Sequence, residues 1–233
     1  VSAAPERRQR LLRIAAGAAF LVLAAVLVLI VVNSGGSGGD AENIAGRAEV
    51  DRLLGGIPQQ GMVLGDPKAP VELIEFGDLQ CPVCKGYSEE ILPPIIESQV
   101  KNGEAKIEFR NLTIIGAESI PAGAAALAAG EQGRGWNYLE IFYRNQGEER
   151  SGYVTDEFME AVAKAAGVKN LAKWNQNRQN LTGAVEKTTE EAMQLGYDAT
   201  PSFAVEGPGA KGLELLGTPE STGALEEALE AAR

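Results

Sequence analysis

The stretch Val71-Glu-Leu-Ile-Glu-Phe-Gly-Asp-Leu-Gln-Cys-Pro-Val-Cys84 constrains this chain more than any other. Its first six residues are mostly apolar or β-branched, with bulk on both faces from Leu73, Ile74 and Phe76, as a central strand requires. The run breaks at Gly77. After a short loop a C-x-x-C opens the next helix, with Pro82 at a position that needs no amide hydrogen. Ala105 to Leu112 then alternates, Ile107 and Phe109 on one face and Lys106, Glu108 and Arg110 on the other, which predicts a half-exposed second strand. Strand, helix, strand is a βαβ unit, so the fold class is α/β.

Cys81 and Cys84 are the only two cysteines in 233 residues, and the chain has no histidine. A zinc site wants four ligands, usually Cys or His, and an iron–sulfur cluster fails on the same count. Haem attachment through C-x-x-C-H fails because Lys85 follows. The absence of imidazole also removes Ser-His and Cys-His catalysis. A structural disulfide remains open, although so short a loop constrains the unfolded chain very little. The favoured reading is a redox dithiol. Cys81 falls at the helix cap, where free amides and the helix dipole favour a thiolate and lower its pKa. Cys84 lies one turn in, on the same face and further from water. That asymmetry makes Cys81 the sulfur that attacks or is attacked and Cys84 the one that resolves the mixed disulfide.

Two further positions stand out. Glu75 is an acid on an otherwise apolar strand. It is either a strand-end carboxylate reaching solvent or a buried acid, its pKa raised by desolvation, that relays the proton of Cys84. Thr200-Pro201 opens a later strand, where proline is an edge device or a cis bond. Thr218-Pro219 repeats the dipeptide but precedes an amphipathic stretch, so it is expected to start the last helix.

The segments around this unit read as support. Pro82 to about Val100 is predicted helical, with Pro93-Pro94 kinking it. From Ser119 to Leu195 the pattern is helical throughout, with Thr155 as an N-cap and Arg178 as the one polar break in the rhythm from Leu171 to Ala192. Ser202–Val205 and Leu213–Leu216 are expected as a hairpin about Gly207-Pro-Gly. The sheet is therefore interrupted by a helical insertion over about 117–196.

The N-terminal part is of another kind. Ile14 to Val32 is a 19-residue uncharged, almost wholly apolar run. As a helix it spans roughly 28 Å, enough for a bilayer core. Four arginines precede it, which places residues 1–13 on the cytoplasmic side and the rest outside. The reading is an uncleaved transmembrane anchor over 14–32; the alternatives are a cleaved signal peptide or, from Arg7-Arg8, a twin-arginine signal. Residues 33–60 are expected as a flexible linker, of which the Gly/Ser-rich and polar part to Glu49 reaches roughly 20–25 Å, with a short helix starting near Val50. Without the basic tail the chain carries a net charge of about −14. That argues against nucleic-acid binding, which rests on phosphate neutralisation.

The Phe-Gly-Asp-Leu-Gln-Cys-Pro-Val-Cys segment, the helical insertion inside the sheet and Thr200-Pro201 before a strand together resemble the DsbA-like branch of the thioredoxin fold. The resemblance covers about Gly61 to Arg233 and implies a thioredoxin domain over 61–233 acting as a protein thiol:disulfide oxidoreductase. Cys81 would be the nucleophile, Cys84 the resolving cysteine and Glu75 the buried acid. Pro201 would be cis and face the dithiol, and Thr200 would offer backbone groups to an extended substrate peptide. No cofactor or metal is implied. The family is bacterial and extracytoplasmic, where disulfides persist, and its substrates are reduced or unfolded secreted proteins. Membrane-tethered members resemble partners of quinone-linked membrane enzymes of the DsbB or vitamin-K-epoxide-reductase type. One departure matters: strongly oxidising members carry His between the cysteines, and here the dipeptide is Pro82-Val83. Helix-end stabilisation of about 0.3–2 kcal/mol would raise the potential by only roughly 6–40 mV. Oxidase, reductase and isomerase directions therefore stay open, as does a non-catalytic peptide-binding module with a structural disulfide.

Overall fold

The computed structural model describes residues 44–233. Helix α1 (Arg47–Leu54) is followed by the short strands β1 (Gln59–Gln60) and β2 (Val63–Leu64) and by β3 (Val71–Gly77). A long helical run then comprises α2 (Pro82–Gly86), a π-helical turn over Tyr87–Ile91, α3 (Leu92–Ile95) and a second π turn over Ile96–Val100. After β4 (Ala105–Asn111) come five helices: α4 (Ser119–Gly130), α5 (Gly135–Arg144), α6 (Asp156–Ala165), α7 (Leu171–Asn180) and α8 (Thr182–Gln194). The chain closes with β5 (Ser202–Glu206), β6 (Glu214–Gly217) and α9 (Thr222–Ala231).

The sheet has the order β1-β2-β4-β3-β5-β6. β3 lies at its centre, parallel to β4 and antiparallel to β5. Its alternating side chains feed two cores. Leu73 joins Ile107, Phe109, Phe203 and Val205 in the larger one, under residues of α1, α3, α5 and α9. Ile74 and Phe76 join Ala204, Leu112, Ala192 and Tyr197 in the smaller one on the other face. Glu75 points to the same face as Leu73, with Phe109 and Phe203 as its register neighbours.

Five helices do interrupt the sheet between β4 and β5. Thr155 caps α6 by accepting the Phe158 amide at 3.1 Å. The polar break at Arg178 has a local reason. Its guanidinium lies over the Trp174 ring, 5.2 Å from the centroid, and pairs with Asp156 at 2.8 Å. The single rhythm expected from Leu171 to Ala192 is two helices, separated at Leu181.

Two expectations are corrected and a third gains a structural context. The linker expected over 33–60 is folded from Arg47 onward, because α1 buries Val50, Leu53 and Leu54 in the main core. Pro93-Pro94, where a kink is expected, is flanked by a π turn on each side. The spacing widens on both sides, with the Leu92 amide donating to the Tyr87 carbonyl and the Lys101 amide to the Ile96 carbonyl at 2.9 Å. A π turn accommodates what the missing proline donors would otherwise leave unpaired. Finally, Thr218-Pro219 does not start the last helix. Ser221 caps α9 by accepting the Ala224 amide at 3.3 Å, a role serine fills better than a bare proline start. Among the described residues no helix is long and apolar enough to cross a membrane. The anchor expected over 14–32 and the basic tail lie outside the described residues.

Candidate active site

The site is built where β3 ends. Gly77 is required there by packing: a Cβ on it would stand 2.6 Å from the Phe109 ring. Next, the Asp78 carboxylate organises the loop. One oxygen accepts the Gln80 amide and the other the amides of Ile114 and Ile115, all at 2.9 Å. The loop after β3 is thereby tied to the segment that follows β4. Gln80, fully buried, donates to Ser119 Oγ at 3.0 Å and accepts the Arg150 amide at 2.9 Å. The Gln146 side-chain amide reaches two carbonyls, Leu79 at 2.7 Å and Cys81 at 3.1 Å. The helical insertion therefore grips the approach to the dithiol from two sides.

Cys81 is the N-cap of α2, with an extended backbone and Pro82 at the first helical position. Its Sγ accepts the Cys84 amide at 3.3 Å. As a thiol it also donates to the Thr200 carbonyl at 3.3 Å. The hydrogen bond from the Cys84 thiol does most to bring the Cys81 pKa down to about 6. The Thr200 side chain and the backbone amides of Cys84 and Val83 assist, while burial opposes. Cys84 behaves in the opposite way. It is fully buried, and desolvation, then the hydrogen bond it gives Cys81, push its thiol well above the ordinary value near 9. The pair is thus divided electrically into a ready nucleophile and a reluctant one. Lys85 contributes its backbone amide to the Cys81 carbonyl at 3.2 Å.

Glu75 is 2% exposed, and its Oε1 has no hydrogen-bond partner. Burial first, then the Glu140 and Cys81 charges, raise its pKa to about 8. The strand-end reading, with the carboxylate in solvent, does not hold. Glu140 is itself buried and raised by desolvation, against the pull of Arg144, which it meets at 2.5 Å. The Thr200–Pro201 bond is cis, and Thr200 comes to Cys81 from the turn just before β5, the strand on the opposite side of β3 from β4. The five residues singled out in the sequence thus occupy one end of the sheet. Among the described residues no cluster of acidic, Cys or His side chains is arranged to hold a metal.

Asp78, Gln80, Ser119, Gln146 and Arg150 have no role in the sequence reading above. Asp78 and Gln80 stand inside the motif and were findable as polar residues next to a buried strand. Gln146 lies 65 residues beyond Cys81 and carries no local signal.

Comparison with known proteins agrees with this geometry. The thioredoxin family model matches residues 58–225. A probable disulfide bond formation protein D from Bacillus cereus is 28% identical over 149 residues, covering 62% of this chain and 69% of the relative. Disulfide bond formation protein D from Bacillus subtilis is 30% identical over 150 residues, covering 61% and 66%. In structure, the oxidised form of BdbD from Bacillus subtilis superposes with a TM-score of 0.64 at 24% identity, over 75% of this chain and 96% of that one. That likeness establishes the fold, an α/β thioredoxin domain with a helical insertion. The matched segment spans the dithiol, the insertion and the Thr200-Pro201 turn, and the chain belongs to the thioredoxin family, within its DsbA-like thiol:disulfide oxidoreductases.

Proposed function

We propose that this oxidoreductase introduces disulfides into secreted or cell-envelope proteins, held outside the cytoplasm by a transmembrane helix over residues 14–32. The observation that carries the direction is the opposed tuning of the two sulfurs: Cys81 is lowered to about 6 while Cys84 is raised. A stabilised thiolate favours the reduced enzyme, and a readily reduced enzyme is an oxidant.

The reaction begins with the Cys81–Cys84 disulfide. A substrate thiolate attacks Cys81 Sγ, a new S–S bond forms, and the Cys81–Cys84 bond breaks. Cys84 leaves with the electron pair and takes a proton. Glu75, whose pKa of about 8 keeps it protonated at neutral pH, is the nearby acid for that transfer. A second substrate thiolate then attacks the substrate sulfur of the mixed disulfide, and Cys81 departs as the better leaving group. The substrate has lost two electrons and the enzyme has gained them. Thr200 and Pro201 line the approach, with the Thr200 carbonyl available to an extended substrate once Cys81 no longer donates to it. The enzyme is returned to its disulfide form by a quinone-linked membrane protein of the DsbB or vitamin-K-epoxide-reductase type.

The reduction potential of the Cys81–Cys84 pair tests the direction. A value between about −120 and −180 mV supports an oxidase, and one near −270 mV makes the protein a reductase. A full-length chain extracted from membranes only by detergent supports the anchor; recovery in the aqueous fraction overturns it.

A further inference from the structure

Thr218-Pro219 has no part in the last helix, yet both residues are engaged with the site. Thr218 Oγ1 donates to the Pro201 carbonyl at 2.7 Å. The next carbonyl along, that of Pro219, accepts the Tyr87 hydroxyl. Tyr87 opens the π turn that continues the helix carrying Cys81 and Cys84. One residue past the Ser221 cap, Thr222 Oγ1 donates to the Ile91 carbonyl at 3.0 Å, at the end of that same turn. Three bonds therefore fasten the β6–α9 connection and the first residue of α9, one to the turn that faces the dithiol and two to the dithiol's own helix. The Tyr87 ring also stacks on Phe203 of β5, with centroids 5.5 Å apart.

From this we infer that Thr218 is a positioning residue for substrate engagement. It locks the Pro201 peptide plane, and through it sets where the Thr200 carbonyl stands relative to Cys81 Sγ. Pro201 is buried, and the position of a buried carbonyl follows the one donor that satisfies it. Tyr87 is the counter-anchor. It ties the same connection to the helix, so the turn and the sulfur are held to a shared frame. The connection acts on the turn that a polypeptide must meet, whereas a small thiol needs only the Cys81 sulfur, whose residue is 3% exposed. The inference rests on the exchange chemistry proposed above and deepens it, by naming what fixes the surface that receives an extended chain.

The test compares two reactions of the same oxidised protein. One uses an extended cysteine-bearing peptide, the other reduced glutathione. The glutathione reaction by itself reports whether the dithiol exchanges at all, so a failure of the functional reading shows there first. In Thr218→Val, which keeps the shape and removes the donor, the ratio of peptide rate to glutathione rate is expected to fall about tenfold, the scale of one lost buried hydrogen bond. The fall is expected in KM for the peptide rather than in kcat. Thr218→Ser, which keeps the hydroxyl, is expected to restore the ratio to within about threefold. Tyr87→Phe is expected to lower the ratio in the same direction and provides the test if the Thr218→Val protein does not fold. A ratio that stays at the parent value in Tyr87→Phe and in any folded Thr218→Val protein overturns the inference. So does an equal loss in both reactions, or a Thr218→Ser protein no better than Thr218→Val.

Discussion

The backbone amide of Cys84 points at the sulfur of Cys81 across 3.3 Å. It assists the hydrogen bond from the Cys84 thiol, which does most to lower the Cys81 pKa, in making the first turn of α2 a thiolate site. The two cysteines are unequal before any substrate arrives.

This inequality has a direct consequence for trapping. In the proposed mechanism, a Cys84→Ala protein leaves the mixed disulfide on Cys81 without its resolving partner. Incubated with a peptide disulfide, this variant is expected to accumulate a covalent adduct of one peptide per chain, visible by mass spectrometry and cleared by dithiothreitol. The Cys81→Ala protein is expected to form none, since Cys84 is fully buried and its thiol is held protonated.

Asp78 is the anchor of the loop. Its carboxylate serves three backbone amides, and hydrogen bonds to a charged acceptor contribute about 1.5–3 kcal/mol each. Asp78→Asn presents an NH2 group to donors that have nothing to offer it. The expected loss is about 3 kcal/mol of folding stability in denaturant titration, with a slower exchange reaction because the start of α2 is no longer tied to the segment after β4. A loss below about 0.5 kcal/mol would show that these bonds are readily replaced by water.

Glu75 gives a prediction with a defined pH window. Its folded pKa of about 8 lies above the ordinary 4.5, so the folded protein holds a proton that the unfolded chain releases. The stabilising contribution of that proton is complete below pH 4.5 and is lost as pH rises through about 8. Glu75→Gln removes this slope. The stability of the variant relative to the parent is expected to grow between those limits by on the order of 1.4 kcal/mol per pH unit at the steepest. Over the same range, release of Cys84 is expected to slow if Glu75 is the proton donor of the proposed mechanism. Parallel stability curves for the two proteins would place Glu75 in contact with water.

Much of this architecture was written in local pattern. The strand Val71–Gly77, the cap at Cys81 and the cap at Thr155 each follow from neighbours a few residues apart, where hydrophobic period and capping chemistry act. The insertion was visible because Ala-rich and amphipathic stretches persist over several helices. What escaped was set by distant partners. Gln146 could be any polar loop residue until the fold brings it to the Leu79 and Cys81 carbonyls. Thr218-Pro219 has the signature of a helix start, and only the packing of β6 beside β5 places its hydroxyl on Pro201. The two prolines at 93 and 94 mark a disturbed helix by a local rule that counts lost donors, but not the form it takes. The flanking π turns that absorb them depend on the helix being held along its length by Leu92, Ile95 and Ile96 in the core. Glu75 was ambiguous for the same reason: whether an acid on a strand is wet or dry is decided by Phe109 and Phe203 on the neighbouring strands.

The opposed tuning of the two sulfurs is read most directly from the pH dependence of alkylation of the reduced protein by iodoacetamide, with the modified residue identified by mass spectrometry. Modification of Cys81 is expected with a midpoint near pH 6, while Cys84 stays unmodified until the protein unfolds. A midpoint near 9, or equal labelling of both cysteines, would contradict that tuning.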